Sequence, residues 1–282
     1  MKPLRNLVLA LITVGFVGCV PRQPISIPSS RSAQSHILTS IQLNSGEINN
    51  TLLAVVDTGC EWSILSNNFV PSNQNPTVNV RLNDATQSQV SMNKKVTGRL
   101  KIGEAHLDSC DFLVMNLKDV APPQLKNIDA ILGQNELMRL SPISFDFKHN
   151  SIIINDDDSY DAVFPLLLIK NLPAIDVILN GEHTQFVIDT GSYLSATISS
   201  LETNSANPPD GVESEYGSAS GVRLKAKRSI NNKIKIGAIL FDSIDVWLQP
   251  TSHYPTLGSS FFRNHKIKMD YKKMSFSIKL QE

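Results

Sequence analysis

The residues of this sequence best suited to chemistry are two aspartates, each followed by threonine and glycine. They form the tripeptides Asp57-Thr58-Gly59 and Asp189-Thr190-Gly191. Two carboxyls that share one proton supply both a base to deprotonate water and an acid to protonate a departing nitrogen. Because like charges a few ångströms apart cannot both ionise cheaply, one of the two pKa values rises and the pair holds a single proton. If the two aspartates converge, they predict hydrolysis of a peptide bond by an activated water.

An internal repeat carries the two tripeptides and organises the chain. Each tripeptide ends a segment rich in apolar residues, Leu52–Val56 in the first half and Gln185–Ile188 in the second. Three further pairs of segments recur in the same order: Leu100–Gly103 with Ile234–Gly237, Ala130–Gly133 with Pro255–Gly258, and Ile143–Lys148 with Ile267–Lys272. Asp-Ser pairs at Asp108-Ser109 and Asp242-Ser243 follow the first of these. The repeat predicts two copies of one structural unit.

Local sequence indicates strands for most of the repeated segments, which are short, β-branched and apolar. Asn180-Gly181 predicts a tight hairpin between Ile175–Leu179 and Gln185–Ile188. Brief helices are predicted only at Asn135–Leu140 and Ser260–Asn264, after the later glycines. The acidic stretch 156–161 predicts a solvated, extended linker between the halves.

With the paired tripeptides and their apolar strands, the sequence resembles the aspartic proteases. The halves resemble the retropepsin-like domain more than the larger pepsin lobe, and the resemblance covers nearly everything after residue 36. It implies an all-β fold of two retropepsin-like (acid protease) β-barrel domains, 36–155 and 162–282, related by pseudo-twofold symmetry. Asp57 and Asp189 would be catalytic, and Thr58 and Thr190 would hydrogen-bond across the axis. The strands ending at Gly133 and Gly258 would thread beneath the catalytic turns, while Gly59 and Gly191 would permit those turns.

The residue after each tripeptide differs between the halves. Ser192 follows the second turn, where Cys60 follows the first. The resemblance implies that a serine at this position can donate a hydrogen bond to the adjacent carboxylate, and a thiol is a weaker donor. Our hypothesis is that Asp189 carries the negative charge of the pair more often, while Asp57 more often holds the proton.

A hairpin flap that closes over an extended substrate is also expected. In the second half Tyr216, Gly217 and the residues up to Gly221 resemble the pepsin-type flap. The first half offers only 82–86, which can turn but lacks glycine, so one flap is expected to dominate.

The N-terminus predicts export and anchoring. Lys2 and Arg5 precede the apolar run Leu7–Val17, which is too short to span a bilayer, so residues 1–18 are predicted to be a signal peptide. The following Cys19 resembles the lipidated cysteine of bacterial lipoproteins, although a plain secretory signal is an alternative. Residues 19–35, rich in Pro and Ser, are predicted to be a flexible tether. This places the protein in the bacterial cell envelope, lipid-anchored and facing the periplasm.

The charge balance and the spacing of cysteine and histidine residues limit the functions that the sequence supports. The 282 residues carry 26 basic and 26 acidic side chains, which gives no indication of nucleic-acid binding. The spacing of Cys and His residues predicts no metal site, and no cofactor is expected. Cys60 and Cys110 are expected to remain separate thiols, although the predicted compartment permits a disulfide. Asp146 and Asp270, which match in the repeat, are predicted to be structural.

The sequence thus favours an aspartic endopeptidase that acts on an extended polypeptide as a monomer, its two halves forming an intrachain pseudo-dimer. One alternative is a catalytically silent peptide-binding lipoprotein with the same fold, which would have no chemical reason to retain both carboxylates. Another is a symmetric or swapped homodimer. Pairing within one chain is favoured because it has the higher effective concentration.

Overall fold

The computed structural model describes residues 23–32, 36–46, 48–70, 78–83, 89–120, 125–200, 206–207, 209–217, 223–250 and 254–281. The strands of the first half are β1 (Ile25–Pro28), β2 (Ser30–Arg31), β3 (Ile37–Ser45), β4 (Ile48–Val56), β5 (Ser63–Ser66), β6 (Val80–Asn83), β7 (Gln89–Met92), β8 (Lys95–Ile102), β9 (Ala105–Met115), β10 (Ala130–Leu132), β11 (Ile143–Asp146) and β12 (Ser151–Ile154). Those of the second half are β13 (Ala162–Pro165), β14 (Leu167–Ile169), β15 (Leu172–Leu179), β16 (Glu182–Asp189), β17 (Ala196–Ser199), β18 (Pro209–Gly217), β19 (Arg223–Ile236), β20 (Ile239–Gln249), β21 (Thr256–Gly258), β22 (His265–Asp270) and β23 (Ser275–Leu280).

Each half closes into a six-stranded barrel. The first barrel has the order β3-β4-β10-β5-β9-β8, and β8 pairs back to β3. The second has the matching order β15-β16-β21-β17-β20-β19, and β19 pairs back to β15. The inward-facing residues are apolar in both barrels; Ile41 and Leu52 in the first, and Ile175 and Phe186 in the second, are fully buried. These closed barrels confirm the all-β, two-domain prediction.

The internal repeat extends to the backbone conformation. In both Asp-Ser pairs the serine adopts a left-handed conformation, with φ of 53° at Ser109 and 57° at Ser243. The predicted hairpin at Asn180-Gly181 is confirmed, since both residues have positive φ and Leu179 pairs with Glu182 across the turn. The two halves therefore repeat local geometry as well as strand order.

A six-stranded sheet joins the two barrels. Its order is β1-β12-β11-β22-β23-β13, and the central pair, β11 and β22, comes one strand from each half. Counted outward from the centre, the two halves contribute equivalent strands in the same order, β11-β12-β1 on one side and β22-β23-β13 on the other. A pseudo-twofold axis therefore passes between β11 and β22. This shared sheet fixes one barrel against the other.

The prediction of a flexible tether over 19–35 is wrong for the part that the structure describes. β1 pairs with β12 at the edge of the shared sheet, and β2 pairs with β3 of the first barrel. Ile27 is 2% exposed and belongs to the main hydrophobic core. Burial of that side chain and the strand hydrogen bonds outweigh the entropy of a Pro- and Ser-rich chain. Residues 1–22, with the predicted signal peptide and Cys19, lie outside the described residues.

The prediction of a solvated linker is wrong at Asp156. This carboxylate is 6% exposed and lies 2.7 Å from Nζ of Lys266, which is 3% exposed. An ion pair compensates the cost of burying each charge, so the linker is held against the shared sheet at its first residue.

Helices are few and short in the described ranges. Leu117–Val120 forms one α-helical turn (α1) and Gln134–Leu137 another (α2), and a 3₁₀ turn follows at Met138–Leu140, as the sequence predicts for that segment. A further 3₁₀ turn spans Asn67–Phe69. The helix predicted over 260–264 is wrong, because these residues form turns. Within the described ranges, the helices are too short to cross a bilayer.

Candidate active site

Parallel strand pairs place the two aspartates at equivalent points of the barrels. Asp57 follows β4, which runs parallel to β10, and its N–H donates to the carbonyl of Leu132 at 3.0 Å. Asp189 ends β16, which runs parallel to β21 with Asp189 opposite Gly258. The turn that carries Asp57 is therefore supported by β10, and the turn that carries Asp189 is supported by β21.

Gly133, which follows β10, and Gly258, which ends β21, sit where a side chain has no room. A Cβ at Gly133 would lie 2.5 Å from the carbonyl oxygen of Trp62, and one at Gly258 would lie 2.0 Å from that of Leu194. Both contacts are with backbone, which cannot swing aside. The loops that follow the two aspartates therefore cross the supporting strands at van der Waals contact.

Two threonines join the turns across the pseudo-twofold axis. The N–H of Thr58 donates to Oγ1 of Thr190 at 3.1 Å, and the N–H of Thr190 donates to Oγ1 of Thr58 at 3.0 Å. Each hydroxyl donates in turn to a carbonyl of the opposite strand, Thr58 to Ile188 at 2.6 Å and Thr190 to Val56 at 2.7 Å. Both threonines are buried. These four bonds fix the distance between the turns.

The two carboxyls meet at the centre of this arrangement. Asp57 and Asp189 are hydrogen-bonded to each other through their side chains. A Cβ added to Gly59 would lie 2.4 Å from the Asp189 carboxyl, and one added to Gly191 would lie 2.2 Å from that of Asp57. Each glycine thus leaves space for the carboxyl of the opposite half, and any side chain there would separate the pair.

The electrostatics of the pair favour one shared proton. Burial and the negative charge of Asp189 raise the pKa of Asp57 well above its ordinary value, and the N–H groups of Gly59 and Cys60 oppose this only in part. Burial also raises the pKa of Asp189, against hydrogen bonds from Ser192, Asp57 and Gly191 that stabilise its anion. Oδ1 of Asp189 accepts from the N–H groups of Gly191 and Ser192, at 2.9 and 3.0 Å, while Oδ1 of Asp57 accepts from that of Gly59 at 2.8 Å. This difference favours the negative charge on Asp189, in the direction of our hypothesis.

The hydrogen bonds of Ser192 and Cys60, the residues after the two tripeptides, differ from those expected from the sequence. The hydrogen bond from Ser192 to Oδ1 of Asp189, 3.0 Å long, comes from the backbone N–H. The Cys60 thiol donates to the carbonyl of Trp62 at 3.1 Å, and burial raises its pKa. Cys60 and Cys110 are both free, and burial raises the pKa of Cys110 to about 12.

Both halves carry a hairpin in the expected place for a flap. β6 pairs with β7 in the first half, and β18 pairs with β19 in the second. Tyr216 and Gly217 lie on β18, opposite Leu224 and Arg223, and the tips at 84–88 and 218–222 are outside the described residues. The second hairpin is tied to the site, because the hydroxyl of Tyr193 donates to the carbonyl of Glu215 at 2.9 Å.

Sequence reasoning missed one residue beside the pair, His36. Its side chain is 3% exposed, and its ring centroid lies 5.8 Å from that of Tyr193, which follows the second catalytic turn. Burial lowers the pKa of His36 to about 4, so the imidazole is neutral over most of the pH range. No local pattern in the sequence indicates a contact between residues so far apart along the chain.

The other acidic candidates have structural partners. Asp146 accepts from the backbone and ring of His149, both at 3.0 Å, and Asp270 accepts from two backbone N–H groups of the turn that follows it, both at 3.1 Å. The carboxylates at 156–158 lie within 4.8 Å of one another, but the Lys266 ammonium already binds Asp156 and Asp158. This ammonium offsets part of the negative charge of the cluster.

Comparison with known proteins agrees with the fold. The structure is similar to the crystal structure of the aspartic proteinase from Irpex lacteus, with a TM-score of 0.60 and 12% sequence identity. The match covers 92% of this chain and 98% of that chain. No protein-family model and no curated protein matches the sequence. The chain therefore has the two-barrel fold of an aspartic proteinase, and its similarity lies in structure rather than in sequence.

Proposed function

We propose that this protein is an aspartic endopeptidase that cleaves extended polypeptides with a water activated by Asp57 and Asp189. The observation that carries the proposal is the hydrogen-bonded carboxyl pair, held by four threonine bonds in a fold similar to that of an aspartic proteinase.

The unequal surroundings of the two carboxyls assign the roles in catalysis. Asp189 is the anion that accepts a proton from water, and Asp57 is the acid that first polarises the scissile carbonyl. The dyad then returns a proton to the departing nitrogen. Because the nucleophile is water and not a side chain, no covalent intermediate forms. The hairpins β6–β7 and β18–β19 cover the substrate and add hydrogen bonds to its backbone, and Tyr216 and Gly217 belong to the second.

The catalytically silent alternative has little support in the site. A peptide-binding protein needs a cleft but has no need for two glycines that each make room for the opposite carboxyl. Burying two carboxyls side by side also costs stability, and such a cost is typical of functional sites. We infer that the pair is retained for catalysis.

The anchoring at Cys19 and the envelope location belong to the same proposal. β1 begins at Ile25, so only residues 20–24 separate Cys19 from the shared sheet. An extended chain of that length reaches about 18 Å, at 3.3–3.6 Å per residue. A lipid at Cys19 would therefore hold a monomeric body close to the membrane, with its two retropepsin-like halves paired within one chain.

The test is cleavage of an unfolded protein by the chain from residue 20 onwards. Asp57→Asn and Asp189→Asn should each lower kcat by about 10⁴-fold or more, because the remaining group cannot act as both acid and base. Asp176→Asn, at an exposed position on β15, is the matched control and should be unaffected. A statine inhibitor should block the wild type. Equal cleavage by wild type and both dyad variants would overturn the proposal.

A further inference from the structure

Two turns of the shared sheet are equivalent in the repeat but end in different residues. The turn 147–150 joins β11 to β12, and the turn 271–274 joins β22 to β23. The last residue of each is left-handed, with φ of 51° at Asn150 and 49° at Met274. The backbone of the two turns is therefore the same, and the side chains at this position differ.

Met274 is an unfavourable residue for this backbone. A left-handed conformation crowds the Cβ of most residues, while the short polar side chain of asparagine tolerates it. The methionine side chain is also 40% exposed, so burial in the core does not compensate for the conformation. Residues held in such conformations are concentrated at functional sites. The second turn thus presents an apolar side chain to solvent where the first turn has Asn150.

The two turns also differ in charge. Lys272 and Lys273 precede the methionine and are exposed. Nζ of Lys273 lies 3.9 Å from the Asp270 carboxylate, but its side chain is 82% exposed, and such a surface pair contributes little. In the first turn the second of these positions is His149, whose ring lies 3.0 Å from the Asp146 carboxylate. The second turn therefore carries two exposed ammonium groups beside an exposed apolar side chain.

A second exposed apolar side chain belongs to the segment next to this turn. The N–H of Leu166 donates to the carbonyl of Met274 at 2.9 Å, which joins the turn to the chain that enters β14. Leu168, two residues further on, is 37% exposed. We call Leu168, Lys272, Lys273 and Met274 the basic-apolar surface.

This surface lies at the end of the shared sheet where the N-terminal segment enters it. In the strand register, Ile25 at the start of β1 is level with Met269 near the end of β22. Three strand spacings separate β1 from β22, or about 14 Å. That distance is within the reach of about 18 Å for residues 20–24 in an extended chain. A lipid at Cys19 would therefore attach on the same side of the molecule as the basic-apolar surface.

We propose that the basic-apolar surface docks onto a bilayer of anionic phospholipids, the membrane to which Cys19 is anchored. Lys272 and Lys273 bind the phosphate headgroups, and the side chains of Met274 and Leu168 enter the interface between headgroups and acyl chains. The proposal rests on the anchoring that belongs to the proposed function. It adds an orientation, because the turn 271–274 faces the membrane and the turn 147–150 does not.

The acidic groups near the surface have partners elsewhere. Asp270 accepts from the N–H groups of Lys272 and Lys273, both at 3.1 Å. Asp156 and Asp158 bind the ammonium of Lys266. Lys266 precedes Asp270 by four residues on β22, or about 13 Å along the strand, so the linker carboxylates bind at a distance from the turn.

The test is sedimentation with vesicles of the chain from residue 20 onwards, which contains every described residue. The vesicles are phosphatidylcholine alone, or phosphatidylcholine mixed with phosphatidylglycerol. Lys272→Gln should weaken binding to the anionic vesicles by about fivefold, the contribution of one lysine near an anionic surface. Lys148→Gln, at the equivalent exposed position of the first turn, is the matched control and should bind within about twofold of wild type. Salt at about 1 M should abolish the preference for anionic vesicles.

Met274→Asn separates docking from folding. This substitution places the residue of the first turn in the second, so it should raise the melting temperature because asparagine tolerates the left-handed backbone. The same variant should bind anionic vesicles at least about threefold more weakly, because an apolar side chain is lost from the interface. A role of Met274 in the fold alone predicts a lower melting temperature and unchanged binding.

Equal binding of the wild type to the two kinds of vesicle would overturn the proposal. Wild-type affinity of Lys272→Gln, or of Met274→Asn, for anionic vesicles would do the same. These measurements need neither cleavage nor a lipid at Cys19. A chain that binds anionic vesicles as expected but cleaves nothing would refute the endopeptidase proposal and leave the docking surface in place.

Discussion

Asp57 is destabilising at neutral pH, because burial and the neighbouring charge raise its pKa in the folded state. A carboxyl with a raised pKa stabilises the fold only while it is protonated, and this contribution is lost as pH rises through the folded-state value. Asp57→Asn removes the ionisation. We therefore expect Asp57→Asn to melt higher than the wild type at about pH 7, and the difference to shrink towards about pH 4.

Thermal denaturation at a series of pH values measures this effect, with the exposed Asp176→Asn as the control. A lower melting temperature for Asp57→Asn at neutral pH would contradict the raised pKa.

Thr58 controls the separation of the two turns through one hydroxyl. Thr58→Val removes the acceptor of the Thr190 N–H and the donor to Ile188, and leaves both backbone groups buried without a partner. Each such group costs about 1–3 kcal/mol, so the free energy of unfolding should fall by roughly 2–6 kcal/mol. Chemical denaturation measures the loss. Thr58→Ser keeps the hydroxyl and should recover most of it; equal losses in both variants would contradict this account.

At the scale of elements, a buried ion pair secures the linker to the shared sheet. Burial opposes ionisation of Asp156, but hydrogen bonds from Lys266 and Tyr160 outweigh it and lower its pKa to about 2. With a folded-state pKa below the ordinary 3.8, this carboxylate contributes stability that is lost as pH falls through that interval. Lys266→Met should cost about 3 kcal/mol, because it leaves a buried charge without its cation.

The double variant Asp156→Leu/Lys266→Met should recover most of that loss, since it buries no charge. Lys279→Met is the control, because Lys279 pairs with Asp158 only at 3.7 Å and near the surface, where an ion pair contributes about 0–1 kcal/mol. Urea denaturation of the three variants measures the effect. A double variant less stable than Lys266→Met would contradict this account.

The repeat made most of the strands predictable, because each copy carries the same apolar period and turn residues. β1 was not predicted, although its sequence, Ile25–Pro28, is similar to Ala162–Pro165 of β13. Both segments have four residues that are apolar or small and end in proline. Short edge strands have little signal of their own, and their position is set by partners elsewhere in the chain. The turns at 260–264 and the contact of the His36 ring with Tyr193 depend on tertiary packing in the same way, and local sequence does not encode them.

Across the whole molecule, β1 and β13 occupy equivalent edges of the shared sheet, so the first structural unit begins before residue 36. The side chains of Ile27 and Phe164 fill matching places against Gly103 and Gly237 of their barrels. A chain that starts at residue 32 would lose β1, β2 and the buried Ile27 side chain. We expect that chain to be less stable than one that starts at residue 23, by at least the cost of Ile27→Ala.

Ile27→Ala alone should lower the free energy of unfolding by about 2–4 kcal/mol, because a core isoleucine loses its burial and leaves a cavity. Val163→Ala on β13, where the valine is 64% exposed, should change it by less than about 0.5 kcal/mol. Urea denaturation of the two chains and the two variants measures these differences. Equal stability of the chains that start at residues 23 and 32 would show that the N-terminal strands are dispensable, and the segment would then be the tether that its composition predicts.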